Sequence, residues 1–118
     1  MKTTNNPILK LTFDFSIEII NYVDRLQERK KFLMANQMFR SGTSIGANVH
    51  EAQEAESRTD FVHKMKIAFK EAEETKYWLL LCSKSNQYPT PGDLLIKLDS
   101  ILRLLSKIIS TSKKALTC

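Results

Sequence analysis

The sequence predicts an all-α protein, an antiparallel up-down-up-down four-helix bundle formed by one domain over residues 1–118. Three observations support this prediction. Apolar residues recur at alternating spacings of three and four along four separate segments, as in helices that each bury one face. No segment shows the apolar-polar alternation of a strand. The chain has only three glycines and three prolines, too few for the many turns of an all-β fold.

The first helix is predicted over residues 11–28. Phe15, Ile19, Tyr22 and Leu26 lie on one helical face, at spacings of four, three and four. The basic residues that follow suit a helix C-terminus, where the helix dipole favours positive charge.

The second helix is predicted over residues 34–55. It carries the stretch RSGTSIGANVHEA, in which two glycines interrupt an otherwise helical pattern. An interior glycine costs a helix roughly 1 kcal/mol relative to alanine, so the pair needs a reason. Gly42, Ile45 and Val49 share one apolar face, and Gly46 lies beside it. We therefore predict that these four residues form a helix-packing motif.

Three explanations of the glycines are open. The favoured one is the close approach of a neighbouring backbone or bulky ring, with Phe61, Phe69 and Trp78 as candidate rings. The second is a bend or irregularity in the helix. The third, a phosphate-binding loop, fits poorly because SGTSIG lacks the lysine and the strand context of a P-loop.

The third helix is predicted over residues 58–84, with Ser57 as its N-cap and Asp60 three residues later, as in a capping box. Its later half is apolar around most of its circumference. A helix with more than one apolar face needs more than one neighbour, so we predict contact with another subunit there. The candidate interface residues are Tyr77, Trp78, Leu80 and Leu81.

The fourth helix is predicted over residues 91–114, with Thr90 as its N-cap and Pro91 at its first position. Its apolar face consists of Leu94, Leu98, Ile101, Leu105 and Ile108.

Cysteine usage and hydropathy bear on metal sites, disulfides and location. Cys82 lies on an apolar helical face and Cys118 is the last residue. The two cysteines do not have the spacing of metal ligands, and we predict no structural disulfide between them. The N-terminal residues lack a signal-peptide hydrophobic region, and no apolar run approaches the length of a membrane span. We expect a cytoplasmic protein with no membrane partner.

The stretch RSGTSIGANVHEAQEA, followed by DFVHKMKIAFKEAEETKYWLLL, resembles the four-helix-bundle family also called 23S rRNA intervening-sequence proteins. The resemblance covers residues 11–81 well, and the fourth helix matches by pattern only. It implies a small antiparallel bundle that assembles into a homopentamer. Some members are encoded within intervening sequences of large-subunit rRNA genes. A related branch is the basic accessory protein of diversity-generating retroelements, which binds nucleic acid and its reverse transcriptase.

The resemblance therefore implies a non-enzymatic oligomer without a cofactor. Its implied partners are other copies of the chain, RNA or DNA, and a reverse transcriptase or another protein. A formal charge of +5 permits nucleic-acid binding, in which lysine and arginine would contact phosphates. The candidate residues form two groups: Arg25, Arg29, Lys30 and Lys31 at the end of the first helix, and Arg103, Lys107, Lys113 and Lys114 in the last. No aromatic residue interleaves with them, so base stacking is not predicted.

Other functions fit some of the same residues. The basic groups are also typical of solvated helix faces in a structural or protein-interaction scaffold that has no nucleic-acid role. A metal enzyme fits less well, because a two-metal bundle needs two Glu-x-x-His motifs. The chain offers only Asp60-x-x-His63 and the pair His50 and Glu54.

Arg40 lies among small and apolar residues of the second helix. We expect it either to pair with Glu51, Glu71 or Glu74 or to be exposed.

Overall fold

The computed structural model describes residues 6–117, which form four α-helices: α1 (Pro7–Glu28), α2 (Phe32–Ala52), α3 (Arg58–Lys84) and α4 (Leu94–Thr117). No strand occurs among these residues. The predicted all-α class with four helices is confirmed. Within the described range, no helix combines the length and the apolar character that a membrane span requires.

α1 begins at Pro7 rather than at residue 11, because the preceding residue caps it. The Asn6 side chain accepts a hydrogen bond from the backbone N–H of Ile8 at 3.3 Å. Proline suits the first helical position, where a backbone N–H would have no partner within the helix. Asn6 also donates from Nδ2 to Oε1 of Gln53 at 3.4 Å, which ties the start of α1 to the end of α2.

α2 spans Phe32–Ala52 rather than residues 34–55. At its C-terminus the hydrogen-bond pattern tightens, since the N–H groups of Gln53, Glu54 and Ala55 each bond to the carbonyl three residues earlier. This tighter spacing is common where an α-helix unwinds, and it ends α2 at Ala52.

α3 begins at Arg58, where the Ser57 side chain accepts a hydrogen bond from the N–H of Asp60 at 3.0 Å. Its buried face starts with Val62, whereas Phe61 is only partly buried.

α4 begins at Leu94, and not at Pro91 as the sequence predicts. Gly92 has a φ of +65°, a left-handed conformation that an α-helix cannot include. The chain therefore turns after Pro91, and the carbonyl of Pro91 accepts from the N–H of Leu94 at 3.3 Å. The last described residue, Thr117, lies beyond the predicted end at residue 114.

The four helices surround one apolar core. Phe15, Ile19, Met38, Met65 and Leu98 are among its largest fully buried side chains. Among the described residues, α1 packs against α2 and α4, and α3 packs against the same two helices. α1 and α3 therefore lie at opposite corners of a molecule that measures 50 × 22 × 22 Å.

The two glycines of α2 face α1. A β-carbon added at Gly42 would lie 2.8 Å from Cγ2 of Ile19, and one at Gly46 would lie 3.2 Å from the carbonyl oxygen of Thr12 and 3.3 Å from Oγ of Ser16. α2 remains one continuous α-helix through both positions. Close approach explains both glycines.

The neighbour of the glycines differs from the predicted one. It is an aliphatic side chain and the backbone of α1, and not the ring of Phe61, Phe69 or Trp78, because those rings belong to α3. Ile45 and Val49, the other two residues of the predicted motif, are fully buried in the core.

Candidate nucleic-acid interface

The arginines at the end of α1 contact the segment that connects α3 to α4. Arg25 donates from Nη1 to the carbonyl oxygen of Thr90, and Arg29 donates from Nη2 to that of Gln87, both at 3.3 Å. Both arginines are also exposed. Their hydrogen bonds give them a structural role that the sequence did not indicate.

The lysines of this group occupy the turn between α1 and α2. Lys30 has a φ of +61°, which lies in the left-handed region. The Lys31 ammonium lies 5.4 Å from the centre of the Tyr88 ring, so it makes a cation–π contact with the α3–α4 connection. Lys30 is exposed and Lys31 is half-buried.

The basic group of α4 lies on its outer surface. Arg103, Lys107, Lys113 and Lys114 are all exposed. Arg103 Nη2 donates to Oγ of Ser100 on the same helix, at 3.5 Å. No hydrogen bond or ion pair joins Arg103, Lys107 or Lys113 to another helix in the described residues.

The two predicted basic groups are not brought together. Arg25 contacts Thr90, which precedes α4, whereas Lys113 lies near the opposite end of that helix. A helix rises about 1.5 Å per residue, so roughly 28 Å of α4 separates Leu94 from Lys113. Within one protomer, the two groups are separate surfaces.

The structure instead places two lysines of α3 beside the α4 group. A groove of about 570 Å³ runs between the helices, with Phe69 and Ile109 among the side chains that line it. Its other lining residues are Lys66, Lys70, Ser106, Ser110, Lys113 and Lys114. We call this the α3–α4 groove.

Sequence reasoning missed the contribution of α3. The available signal was the spacing of Lys66 and Lys70, which puts them one turn apart on the same helical face. Their proximity to Lys113 depends on how α3 and α4 pair, because more than 40 residues separate Lys70 from Lys113 along the chain.

Some of the lysines are ion-paired and others are not. Lys10, Lys64, Lys76 and Lys97 each lie within 4 Å of a carboxylate. By contrast, six exposed lysines have no ion pair among the described residues: Lys30, Lys66, Lys70, Lys84, Lys107 and Lys113. Four of these six are the lysines in or next to the basic group of α4 and the groove beside it: Lys66 and Lys70 on α3, and Lys107 and Lys113 on α4. Together with Arg103, these four define the α3–α4 face.

Acidic residues limit this face at one end. Along α3 the first carboxylate after Lys70 is that of Glu71, which pairs with Arg40 on the α2 side; Glu73 follows and is exposed. On α4, Asp99 pairs with Lys76 at 3.4 Å, and no acidic residue follows it in the sequence. The uncompensated positive charge therefore extends along the α4 half that ends at Lys113.

Arg40 links α2 to α3. Its guanidinium contacts Glu71 Oε1 at 3.3 Å and also pairs with Glu74. Glu74 accepts a further hydrogen bond from Nε1 of Trp78 at 3.1 Å. Arg40 is thus an interhelical pairing residue that is about half exposed, while Glu51 pairs with Lys64 instead.

A buried polar contact joins α1 to the segment that connects α3 to α4. The Tyr22 hydroxyl donates to the carbonyl oxygen of Pro89 at 2.6 Å. Burial is the main cause that raises the pKa of Tyr22, and the neighbouring Cys82 thiol raises it further, whereas Arg25 and Arg29 lower it. Burial likewise raises the pKa of Cys82. Neither group opens onto the α3–α4 groove.

The described residues contain no cluster of three or more His, Cys, Asp or Glu side chains that could hold a metal ion. His50 and His63 are both exposed.

Comparison with known proteins identifies the family. The profile of the 23S rRNA-intervening sequence protein family matches residues 4–111. The chain belongs to this family. The match includes all of α1, α2 and α3 and most of α4.

A solved structure shares the fold of this family member. It is described as a protein with unknown function from the S23 ribosomal protein family of Bacteroides thetaiotaomicron. The two chains are 40% identical with a TM-score of 0.82, and the match covers 86% of this chain and 97% of that one. No curated protein matches the chain significantly.

This member of the 23S rRNA-intervening sequence protein family exposes apolar side chains on two opposite sides. On α3, Tyr77 is 58% exposed and Leu80 and Leu81 are each 38% exposed. Trp78, the fourth predicted interface residue, is half-buried, and its ring meets that of Tyr77 edge to face at 5.4 Å. We call the first three the α3 apolar face.

The second apolar surface was not predicted. Phe13, Ile17 and Ile20 of α1 are exposed, as is Phe39 of α2. We call these four residues the α1–α2 apolar face. Since α1 and α3 occupy opposite corners of the bundle, the two apolar faces point away from each other.

Proposed function

We propose that this chain is a non-enzymatic, oligomeric protein that binds RNA or DNA through phosphate contacts on the α3–α4 face. One observation carries the proposal: Lys66 and Lys70 of α3 and Lys113 of α4 line one groove, and these three lysines and Lys107 of α4 are exposed without an ion pair among the described residues. A phosphate backbone offers regularly spaced negative charges to such a surface.

The α1 group is a weaker candidate. Arg25 and Arg29 already donate to carbonyl groups of the α3–α4 connection, and Lys31 contacts Tyr88. These contacts need not break when an anion approaches, but they restrict the side chains to one end of the bundle. We therefore assign the main phosphate contacts to the α3–α4 face.

Fluorescence anisotropy with labelled RNA and DNA at increasing salt tests this proposal. Neutralising phosphates releases counterions, so each contact to a single strand contributes about −0.7 to the slope of log K against log [salt]. The four lysines predict a slope of about −3 or steeper per occupied protomer. Absence of binding at low salt would remove the proposal.

The relative directions of the helices support a bundle with antiparallel neighbours. Asn6 at the start of α1 meets Gln53 beyond the end of α2, and Lys64 near the start of α3 meets Glu51 near the end of α2. On the basis of these two contacts we propose an up-down-up-down topology.

We further propose that copies of the chain form a closed ring. A ring needs two different contact surfaces on each protomer, and the α3 apolar face and the α1–α2 apolar face provide them on opposite sides. The family resemblance suggests five subunits. A ring would repeat each basic face, so that weak phosphate contacts add by avidity.

The alternative function is a scaffold that binds only proteins, such as a reverse transcriptase. The two exposed apolar faces favour it, because apolar surface of this kind marks protein contacts. Under this alternative, neutralising the α3–α4 lysines would leave partner binding unchanged. In both cases we propose a cytoplasmic location.

A further inference from the structure

The α3–α4 groove is apolar at its floor and cationic at its rims. Phe69 and Ile109 line it and are partly buried against the core, while the exposed Lys66, Lys70 and Lys113 line its edges. An ordinary solvated helix face has no such aromatic and aliphatic floor beneath its charges. The groove therefore offers two kinds of contact in one place.

From this arrangement we infer that the groove binds single-stranded nucleic acid in preference to duplex, with bases against Phe69 and Ile109 and phosphates on the flanking lysines. The inference rests on the proposed function and adds to it the form of nucleic acid that is bound. The sequence did not predict base stacking, because no aromatic residue interleaves with the named basic residues along the chain; Phe69 lies in one groove with Lys113 through the packing of α3 on α4.

The physical reason is what each nucleic acid exposes. A duplex turns its bases inward and presents phosphates, so it would contact the lysines and leave the groove floor unused. A single strand can turn bases outward, and proteins that bind single strands combine a positive groove with aromatic side chains. A volume of about 570 Å³ lies within the range of ligand pockets, roughly 300 to 1,000 Å³.

An acidic amphipathic helix would also present apolar and negative groups. The single strand fits better because the lysines flank both sides of the floor: Lys66 and Lys70 are on α3, and Lys113 is on α4. A single-stranded oligonucleotide carries a phosphate at every nucleotide and can contact the lysines on both rims. A peptide helix has acidic residues on both flanks of its apolar face only if its sequence supplies them. The peptide is therefore an outcome of the test.

The test compares a mixed-sequence single strand with a duplex of the same total phosphate number, by anisotropy at low salt. Ser106→Trp places a bulky ring in the groove from an exposed position, and Ser83→Trp puts the same ring on an exposed site of α3 outside the groove. Phe69→Leu keeps an apolar side chain against the core but removes the aromatic ring.

We expect the single strand to bind more tightly than the duplex. We also expect Ser106→Trp and Phe69→Leu to weaken single-strand binding roughly tenfold. Duplex binding should change less than about twofold, a difference of under half a kcal/mol in binding free energy. Ser83→Trp should leave both affinities unchanged. Far-UV circular dichroism confirms that each variant is folded.

Equal affinity for single strand and duplex would overturn the inference while leaving the proposed function intact. A Ser106→Trp variant that weakens both ligands equally would do the same, as would an acidic amphipathic peptide that binds the groove more tightly than an oligonucleotide of equal charge. Absence of any nucleic-acid binding at low salt would remove both proposals together.

Discussion

Gly42 lies directly against Ile19, so close that a β-carbon at position 42 would come within 2.8 Å of Cγ2 and 2.9 Å of Cγ1 of that side chain. Both carbons are attached to the β-carbon of a fully buried residue and cannot move aside freely. The contact brings α2 close to α1 in the middle of the bundle, which explains a glycine in a helical segment.

Gly42→Ala should destabilise the protein. Overpacking of a filled core costs about 1 to 3 kcal/mol, which exceeds the gain of about 1 kcal/mol in helix propensity. Gly46→Ala is the matched control, because its added β-carbon would lie no closer than 3.2 Å to any atom outside its own helix. Urea unfolding measures both, and Gly46→Ala should have the smaller cost. A Gly42→Ala variant as stable as the parent would contradict the close contact.

Tyr22→Phe should lower stability at neutral pH and make stability less dependent on pH above about 10. The variant leaves the Pro89 carbonyl, which accepts at 2.6 Å, without its donor, at a cost of about 1 kcal/mol. Burial holds the folded-state pKa of Tyr22 above its ordinary value of 10.0. The unfolded chain therefore releases the proton first, and the parent loses stability as the pH rises through that range.

The measurement is urea unfolding of the parent and of Tyr22→Phe from pH 8 to 11. Both proteins carry Cys82→Ala, because burial raises the pKa of the Cys82 thiol while its contact with Tyr22 lowers it, so a cysteine would contribute differently in the two. In this background the difference between the two curves isolates Tyr22. Parallel curves would show that Tyr22 ionises equally easily in the folded and unfolded states.

Lys30→Gly should stabilise the protein. Lys30 holds a left-handed backbone conformation, with φ at +61°, which costs a residue with a β-carbon about 1 kcal/mol and glycine almost nothing. Greater chain entropy of glycine in the unfolded state offsets part of this gain. We expect the melting temperature to rise by a few degrees, whereas Lys30→Ala should leave it unchanged or lower it. A glycine variant less stable than the alanine variant would contradict the strained turn.

The proposed ring makes a specific prediction about mixtures. Phe13→Asp in the α1–α2 apolar face and Tyr77→Asp in the α3 apolar face should each reduce the assembly to monomers in light scattering. Each variant keeps one intact surface, so mixing the two should produce a heterodimer. A two-fold symmetric contact through either face would give no such dimer, and a parent chain that is monomeric would remove the ring altogether.

Periodicity predicted the four helices because burial of one face leaves a local pattern in the sequence. The ends of the helices were harder to predict. Asn6 and Ser57 cap helices through local hydrogen bonds. Pro91 has the sequence features of a helix start, but the left-handed backbone of Gly92 prevents a helix from beginning there. The backbone conformation of Gly92 therefore places the start of α4 at Leu94 and not at Pro91.

The candidate site was only half visible in the sequence. Lys107 and Lys113 were predicted from the run of positive charge in the last helix, whereas Lys66 and Lys70 lie beside Lys113 only through the packing of α3 on α4. Conversely, Arg25 and Arg29 looked equally available, yet they bond to the α3–α4 connection. Which cations share a surface depends on helix pairing, and spacing along the chain does not encode it.

The most direct test of phosphate binding by the α3–α4 face uses two variants of equal charge. One, the unpaired-lysine variant, changes the four lysines of the α3–α4 face to glutamine: Lys66, Lys70, Lys107 and Lys113. The other changes the ion-paired lysines to glutamine: Lys10, Lys64, Lys76 and Lys97. Each removes four charges from a formal +5 and leaves +1. Surface ion pairs contribute little, about 0 to 1 kcal/mol each, so both variants should fold.

The measurement is the salt dependence of anisotropy with one labelled single strand. For the unpaired-lysine variant, we expect the slope of log K against log [salt] to become less negative by about 3 and most of the affinity at low salt to be lost. The affinity of the paired-lysine variant should stay within a few-fold of that of the parent. Equal losses in the two variants, or no loss in the first, would contradict phosphate binding by the α3–α4 face.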